Sequence, residues 1–396
     1  MASTDSKPTR NNHFKRFGMI RFNKFMEENV GLVYTTLGGL GSNVLAALFW
    51  LALASILTID DYGLANYYMA IANVAAGIGI VGLNLTLMTY LAKGEKELLY
   101  EANSFTLITG IITAIAISLF YWPAGIIAAA TIFFNMTLSE LLGEKKYRQY
   151  AIISIIQQIA QISLSLILFY ALGILGILLG YFIGAFIFSY KYLNAIRKNF
   201  TLTFNALKQK RNFAIHSYGY NLIGKRLANH FDKVIIGALF GYYALGLYQL
   251  GFQFYTFFTL VPTSLSQYLL PEESSGTNKK QIKIIGLLLS VAVAILGYLT
   301  TPYIITNFFT TFIPSIELVQ IMSIAVVPST IVAILTSTYL GNEKSKTVLI
   351  AGIIYLISLF LGLIIMEAIM GVIGFAVAII LAQSIQSVYL LSQKSK

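Results

Sequence analysis

Apolar runs of about twenty residues recur along almost the whole chain, the length a helix needs to cross the hydrocarbon of a bilayer. Such runs exclude a soluble core, and also a membrane β-barrel, whose strands alternate in short segments. Charge content agrees: 11% of the 396 residues are charged and 57% hydrophobic, against about a quarter charged in a soluble domain. The expected fold is therefore all-α and polytopic. No long polar segment lies outside the first 30 residues, so no separate catalytic domain is expected. Cysteine is absent and there are three histidines, which argues against a disulfide framework and a zinc site; no cofactor or metal is expected. The basic N-terminus lacks the apolar core and cleavage site of a removable signal peptide. It reads as a cytoplasmic tail, with Phe14, Phe17, Phe22 and Phe25 in the headgroup layer.

Twelve spans are predicted, at 31–58, 64–91, 104–122, 124–142, 149–171, 173–193, 213–240, 243–270, 281–300, 316–340, 346–367 and 370–391. The distribution of positive charge tests this count, because Lys and Arg accumulate at the cytoplasmic ends of spans. Of 27 basic residues, 24 fall in the two tails or in alternate loops: Lys93 and Lys96, Lys145 to Arg148, Lys191 to Arg211, Lys279 to Lys283, Lys344 and Lys346. The intervening loops carry none, which predicts a cell membrane protein with both termini cytoplasmic. The formal charge of +11 is then an orientation signal, and no nucleic-acid partner is expected.

Lys225, Arg226 and Lys233 remain, within the stretch Lys225 to Lys233 that reads KRLANHFDK. If this stretch lay in the cytoplasm, residues 234–270 would have to cross twice with 37 residues including a turn, too few at about 20 per crossing. Starting the seventh span near Phe213 solves the length problem and places Lys225 about 18 Å into it, at 1.5 Å per residue. Ionised groups there must face water or partners, since lipid exposure costs about 2.5–3.5 kcal/mol each. On a helical wheel Tyr218, Asn221, Lys225, Arg226, Asn229, His230, Asp232 and Lys233 share one half of the circumference. Asp232 has no basic residue three or four positions away, so its partner is expected on another helix or in a bound ion.

The chain also repeats itself. LLGEKKYRQYAIIS (141–154) resembles YLGNEKSKTVLIAG (339–352), and Gly143/Gly341, Gly173/Gly371 and Gly176/Gly374 share an offset of 198. A looser correspondence, offset by about 183, joins DYGLANYYMAI (61–71) to ALGLYQLGFQF (244–254). Two six-helix lobes related by an axis along the membrane normal, enclosing a central cleft, are expected. The predicted organisation is a basic tail (1–30), a first lobe (31–198), a cytoplasmic linker (199–212), a second lobe (213–391) and a short tail (392–396).

The positive excess in such a cleft suits an anion, which Arg226 would grip in paired hydrogen bonds while Lys225 and Lys233 act as point charges beside Asn229. A structural ion-pair cluster closing the cleft is the competing reading. Asp232 and His230 are the candidates for ion coupling or gating. Asn43, Asn73, Asn84, Gln157, Gln161, Gln249 and Gln253 are candidates for lining the cavity, although such amides commonly bond helix to helix. The stretch from Gly219 to Lys225 imitates a phosphate-binding loop, but Arg226 stands where Ser or Thr is needed. Asp60 and Asp61 read as a solvated turn in an external loop.

The run NHFDKVIIGALFGYYALGLYQLGFQF, with SQYLLPEES after it, resembles the second-half signature of the Wzx-type flippases of the polysaccharide transporter family, within the multidrug, oligosaccharidyl-lipid and polysaccharide exporters. Asp232, Gly237, Gly246, Tyr248 and Pro271 occupy the signature positions, and Asp61-Tyr62-Gly63 and LLGEKKYRQYA extend the match over essentially the whole chain. The resemblance implies alternating access and no enzymatic activity. The implied substrate is a polyprenyl-pyrophosphate-linked saccharide, with membrane lipids, H+ or Na+ and polysaccharide-assembly proteins as partners. Lys225, Arg226 and Lys233 match the family's basic cavity residues. A multidrug or cation antiporter of the same architecture is the alternative, disfavoured by three cations on the cavity helix. A membrane-embedded saccharide polymerase or glycosyltransferase would need a charged external loop, and the longest expected one, 301–315, has no acid or base except Tyr303.

Overall fold

In the computed structural model, residues 30–274, 279–342 and 344–393 are described. All regular structure among them is helical: α1 (Val30–Ala54), α2 (Ile59–Gly79), α3 (Leu83–Leu91), α4 (Glu97–Gly143), α5 (Tyr147–Leu172), α6 (Ile174–Ile187), α7 (Tyr190–Lys198), α8 (Asn205–Gln209) and α9 (Arg211–Asn221). A π-helical turn, Leu222–Leu227, then leads into α10 (Ala228–Phe258), α11 (Leu260–Ser274) and α12 (Lys280–Phe308). A 3₁₀ turn, Thr310–Ser315, precedes α13 (Ile316–Ile324), α14 (Val326–Gly341), α15 (Ser345–Met370) and α16 (Ile373–Ser392).

Among the described residues eight helices are long and apolar enough to span a membrane, and ten if the bent pairs α2–α3 (54°) and α6–α7 (50°) each count as one. Two of the long helices are broken inside, α4 at Tyr121 and α10 at Gly241. Pro123 follows the first break, where its ring blocks a continuous ladder, and Gly241 takes φ 86° at the second. With these breaks as turns, the arrangement is consistent with the twelve predicted stretches.

Three boundaries differ from expectation for local reasons. The predicted loop around Asp60 and Asp61 is the first turn of α2: the Thr58 hydroxyl caps it by accepting from the Asp61 N–H, and both carboxylates sit at the positive end of the helix dipole. The predicted external loop 301–315 is mostly helix, because α12 runs on through Pro302 to Phe308 and a 3₁₀ turn follows. The predicted sixth span, 173–193, bends between Ile187 and Tyr190.

The repeat has a backbone counterpart. Gly173 and Gly371 adopt φ 59°, ψ −139° and φ 61°, ψ −145°, a region closed to residues with a Cβ, and each N–H bonds the carbonyl four residues earlier. Three residues on, a Cβ on Gly176 would meet the Leu168 carbonyl oxygen at 2.1 Å, and one on Gly374 the Met366 oxygen at 2.2 Å. Lys146 and Lys344, also 198 apart, precede their helices with nearly equal angles, φ −84°, ψ 56° and φ −85°, ψ 49°.

The halves of the chain meet where α2 runs antiparallel to the continuous segment α9–π-turn–α10. A Cβ on Gly63 would lie 1.9 Å from the Tyr242 carbonyl oxygen, and one on Gly246 would lie 2.1 Å from the Ile59 oxygen. The contact is reciprocal: 63 meets 242 and 59 meets 246, while 59 and 63 correspond to 242 and 246 at the offset of 183 seen in the sequence. Further along, Gly237 lies against the Tyr67 ring, Gly77 against the stem of Arg226, and Gly82 against the backbone of Tyr218. Small residues let the backbones close along the seam, as expected where no hydrophobic drive separates helix from lipid. A cluster of aromatic rings crosses it too, with Tyr67 5.4 Å from Tyr242 and Tyr62 5.4 Å from Phe312.

Candidate functional site

The site is built on the π-turn and the helix that follows. A π-turn carries an extra residue, so side chains beyond it are rotated relative to those before it, and such turns concentrate at functional positions. The single polar face expected over residues 218–233 is therefore divided. Arg226, inside the turn, points at α2: its Nη1 donates to Asn73 Oδ1 at 2.7 Å. Asn73 Nδ2 donates to the Met69 carbonyl of its own helix at 2.9 Å, which aims the amide oxygen across the seam. Nearby Asn221 Nδ2 donates to Asn84 Oδ1 at 3.4 Å.

Asp232 and Lys233 turn away from this seam into the second half of the bundle and are buried, with side chains 3% and 5% exposed. This corrects the expectation for Asp232. Its cationic partner is the adjacent Lys233, whose Nζ is 3.3 Å from both carboxylate oxygens, and its second partner is the Tyr248 hydroxyl, which donates to Oδ2. The i, i+3 and i, i+4 rule treats side chains as lying along the helix surface, whereas a long lysine can fold back over its neighbour. Lys233 Nζ also donates to the Asn229 carbonyl at 2.7 Å and lies 3.5 Å from the centroid of the Phe252 ring, a cation–π contact. Asn229 is exposed and His230 half-buried. Lys225 lies in the π-turn; its side chain falls outside the described residues.

The expected cavity amides do not form one set. Gln157 and Gln161 are buried and bond each other, Nε2 to Oε1, within α5. Gln249 and Gln253 are buried on α10 after its break, and the Gln249 amide oxygen has no partner among the described residues. Asn43 is exposed on α1. Four of the five signature positions acquire physical roles: Asp232 with Tyr248 in the buried pair, Gly237 and Gly246 in the seam. Sequence reasoning missed Asn73 as the partner of Arg226 and Phe252 as the platform for Lys233, because both contacts join segments remote in sequence. The glycine at 77, one turn from Asn73 and in contact with the arginine stem, was the available signal.

At the end carrying the basic loops, Lys191 on α7 bridges Glu140 (3.0 Å) and Glu144 (3.1 Å) at the end of α4, and Lys146 reaches Glu144 at 2.9 Å. Burial pushes the Glu144 carboxyl up, but hydrogen bonds and charge from Lys146 and Lys191 outweigh it and hold it below 4.5. The linker is fastened to the start of α4 and the loop before it: Glu101 accepts from the Ala206 and Leu207 N–H groups at 3.2 and 2.8 Å, and Lys210 pairs with Glu95 at 2.9 Å.

Membrane-length helices, a backbone repeat and charged groups embedded along the seam define a polytopic membrane protein. Its residues 121–271 match the family profile described as polysaccharide biosynthesis protein. The fold is that of the lipid flippase MurJ and the multidrug exporters of the MOP superfamily. The lipid II flippase MurJ in an inward closed conformation superposes with a TM-score of 0.69 at 17% identity, over 92% of this chain and 88% of that one. An inward-facing multidrug resistance MATE family transporter of the MOP superfamily gives 0.67 at 15% identity, over 91% and 94%. The Vibrio cholerae MATE transporter VcmN in its bent form gives 0.56 at 15%, over 91% and 94%. No curated protein matches the sequence.

Proposed function

We propose that the protein is a flippase that moves a polyprenyl-pyrophosphate-linked saccharide across the cell membrane by alternating access of two six-helix lobes, residues 31–198 and 213–391, joined by the linker 199–212. Both termini are cytoplasmic in this reading. Arg226 is the observation that carries it: a guanidinium in the π-turn that leads into the apolar stretch Asn229–Phe258, whose one hydrogen-bond partner among the described residues is a neutral amide. Its charge is left available, and its planar fork suits a phosphate. The match of residues 121–271 to a polysaccharide biosynthesis family supports the same substrate class.

We assign Lys225 and Asn229 to the headgroup as well, from their places in the sequence next to Arg226 and one turn beyond the π-turn's Lys225. Lys233 is held by Asp232, so its part in binding requires that pair to open. Asp232 and His230 are the sites we assign to coupling with H+ or Na+. Likeness to MurJ in an inward closed conformation (TM-score 0.69) and to an inward-facing MATE transporter (0.67) exceeds that to an outward-facing MATE transporter (0.58), which supports an inward rather than an outward conformation.

The test is reconstitution in liposomes with a fluorescent polyprenyl-pyrophosphate disaccharide, following its accessibility on the opposite leaflet. Arg226→Gln is expected to reduce the rate at least about tenfold, the scale of one lost charge-assisted hydrogen bond. Wild-type transport by Arg226→Gln, or efflux of cationic dyes in its place, would sink the reading in favour of a multidrug exporter.

A further inference from the structure

The contact between Asn73 and Arg226 is built in an unusual way, and it rests on the reading of Arg226 as the headgroup grip. A buried or half-buried arginine in a helical membrane protein ordinarily meets a carboxylate, because an unpaired charge there is expensive. Here the group facing it across the seam is an amide. The amide is not loosely placed: its nitrogen is tied to the Met69 carbonyl, which fixes the oxygen 2.7 Å from Nη1. One turn further, Gly77 lacks the Cβ that would stand 2.6 Å from Arg226 Cγ, so the arginine stem lies flat on α2. The two residues together fix both ends of the side chain while leaving its charge uncancelled. Among the described residues one N–H of five is engaged, which leaves four for a ligand.

We propose that Asn73 is a positioning residue for anion recognition: it anchors the guanidinium as a carboxylate would, without neutralising it, and thereby sets the affinity for a pyrophosphate headgroup. The discriminating substitution is Asn73→Asp, nearly the same shape with a charge added. A merely structural contact would be strengthened by that carboxylate, since charge-assisted hydrogen bonds are the stronger kind. A positioning role predicts the reverse for ligand binding.

The experiment measures inorganic pyrophosphate and farnesyl pyrophosphate binding to the full-length protein in detergent, with thermal melting alongside. Asn73→Ala is expected to weaken binding about tenfold and Asn73→Asp at least about a hundredfold, with the slope of log affinity against log salt flattened in the latter. Melting of Asn73→Asp is expected at or above that of the wild type. Should that variant fail to fold, Gly77→Ala supplies the second arm, with about a tenfold loss as the stem is pushed off α2. Binding by Asn73→Asp or Gly77→Ala at wild-type strength, or equal losses in Asn73→Ala and Asn73→Asp, would overturn the proposal. A control separates it from the reading it rests on: if Arg226→Gln binds pyrophosphate as well as the wild type, the headgroup assignment fails. If Arg226→Gln loses binding while Asn73→Asp keeps it, only the role of Asn73 fails. Tighter binding of farnesyl pyrophosphate than of inorganic pyrophosphate assigns the site to a lipid-linked anion, and the opposite order to a free one.

Discussion

At the residue scale, Asp232, Lys233, Tyr248 and Phe252 form one unit, and its energetics are those of a buried ion pair. Removing one member strands the other charge away from water, at about 3–5 kcal/mol, whereas removing both can be nearly neutral. Asp232→Asn and Lys233→Gln are each expected to lower the melting temperature in detergent substantially, and the double variant is expected to recover most of the loss. Additive losses in the double variant would show that the two groups do not act as a pair. That the stretch KRLANHFDK lies within a long helical segment was legible from length alone, since the residues after it could not otherwise have crossed twice. Which way each of its side chains faces was not legible, because periodicity assumes a uniform helix and the turn at Leu222–Leu227 is wider than one. The Lys233 partner of Asp232, expected on another helix or as a bound ion, escaped a different rule, that only residues three or four apart pair along a helix.

At the scale of elements, the reciprocal approach of Gly63 to Tyr242 and of Gly246 to Ile59 makes two glycines responsible for how closely α2 and α10 pack. Either glycine replaced by alanine drives a Cβ into a backbone oxygen, and overpacking of this kind costs about 1–3 kcal/mol. Gly63→Ala and Gly246→Ala are expected to lower the melting temperature, while Gly352→Ala, which meets nothing within 4 Å, is expected to leave it unchanged. The loose correspondence at an offset of 183 carried this contact in the sequence, as paired glycines without a stated purpose. The clamp of Lys191 on α4 gives a second expectation at this scale. A carboxyl whose folded value is depressed stabilises the fold above its unfolded value and loses that contribution as the pH falls through the folded one. The melting difference between wild type and Glu144→Gln is therefore expected at neutral pH and should vanish on acidification below 4.5, through the depressed folded value. A difference that persists in acid would assign the role of Glu144 to packing.

For the whole molecule, the all-helical class and most span positions were legible because the bilayer imposes one length on every crossing. The ends of spans were the weak point: Thr58 as a cap and Pro302 within α12 turned predicted loops into helix. Topology is directly testable because the chain has no native cysteine. Arg148→Cys and Lys346→Cys, both exposed and 198 positions apart, are expected to react with a membrane-impermeant maleimide only from the cytoplasmic side, and Asn307→Cys only from the other. Labelling of Arg148→Cys and Lys346→Cys from opposite sides would refute an even number of spans between them.

The antiparallel seam of α2 with α9 and α10 is fastened from Gly63 to Gly82, and among the described residues nothing comparable joins α1 to α11. A body stitched down one edge folds and unfolds about that edge, as pages do about a spine. For the lipid-linked cargo we propose, entry is expected from the fore-edge, its head turned toward the binding and its tail trailing in the lipid.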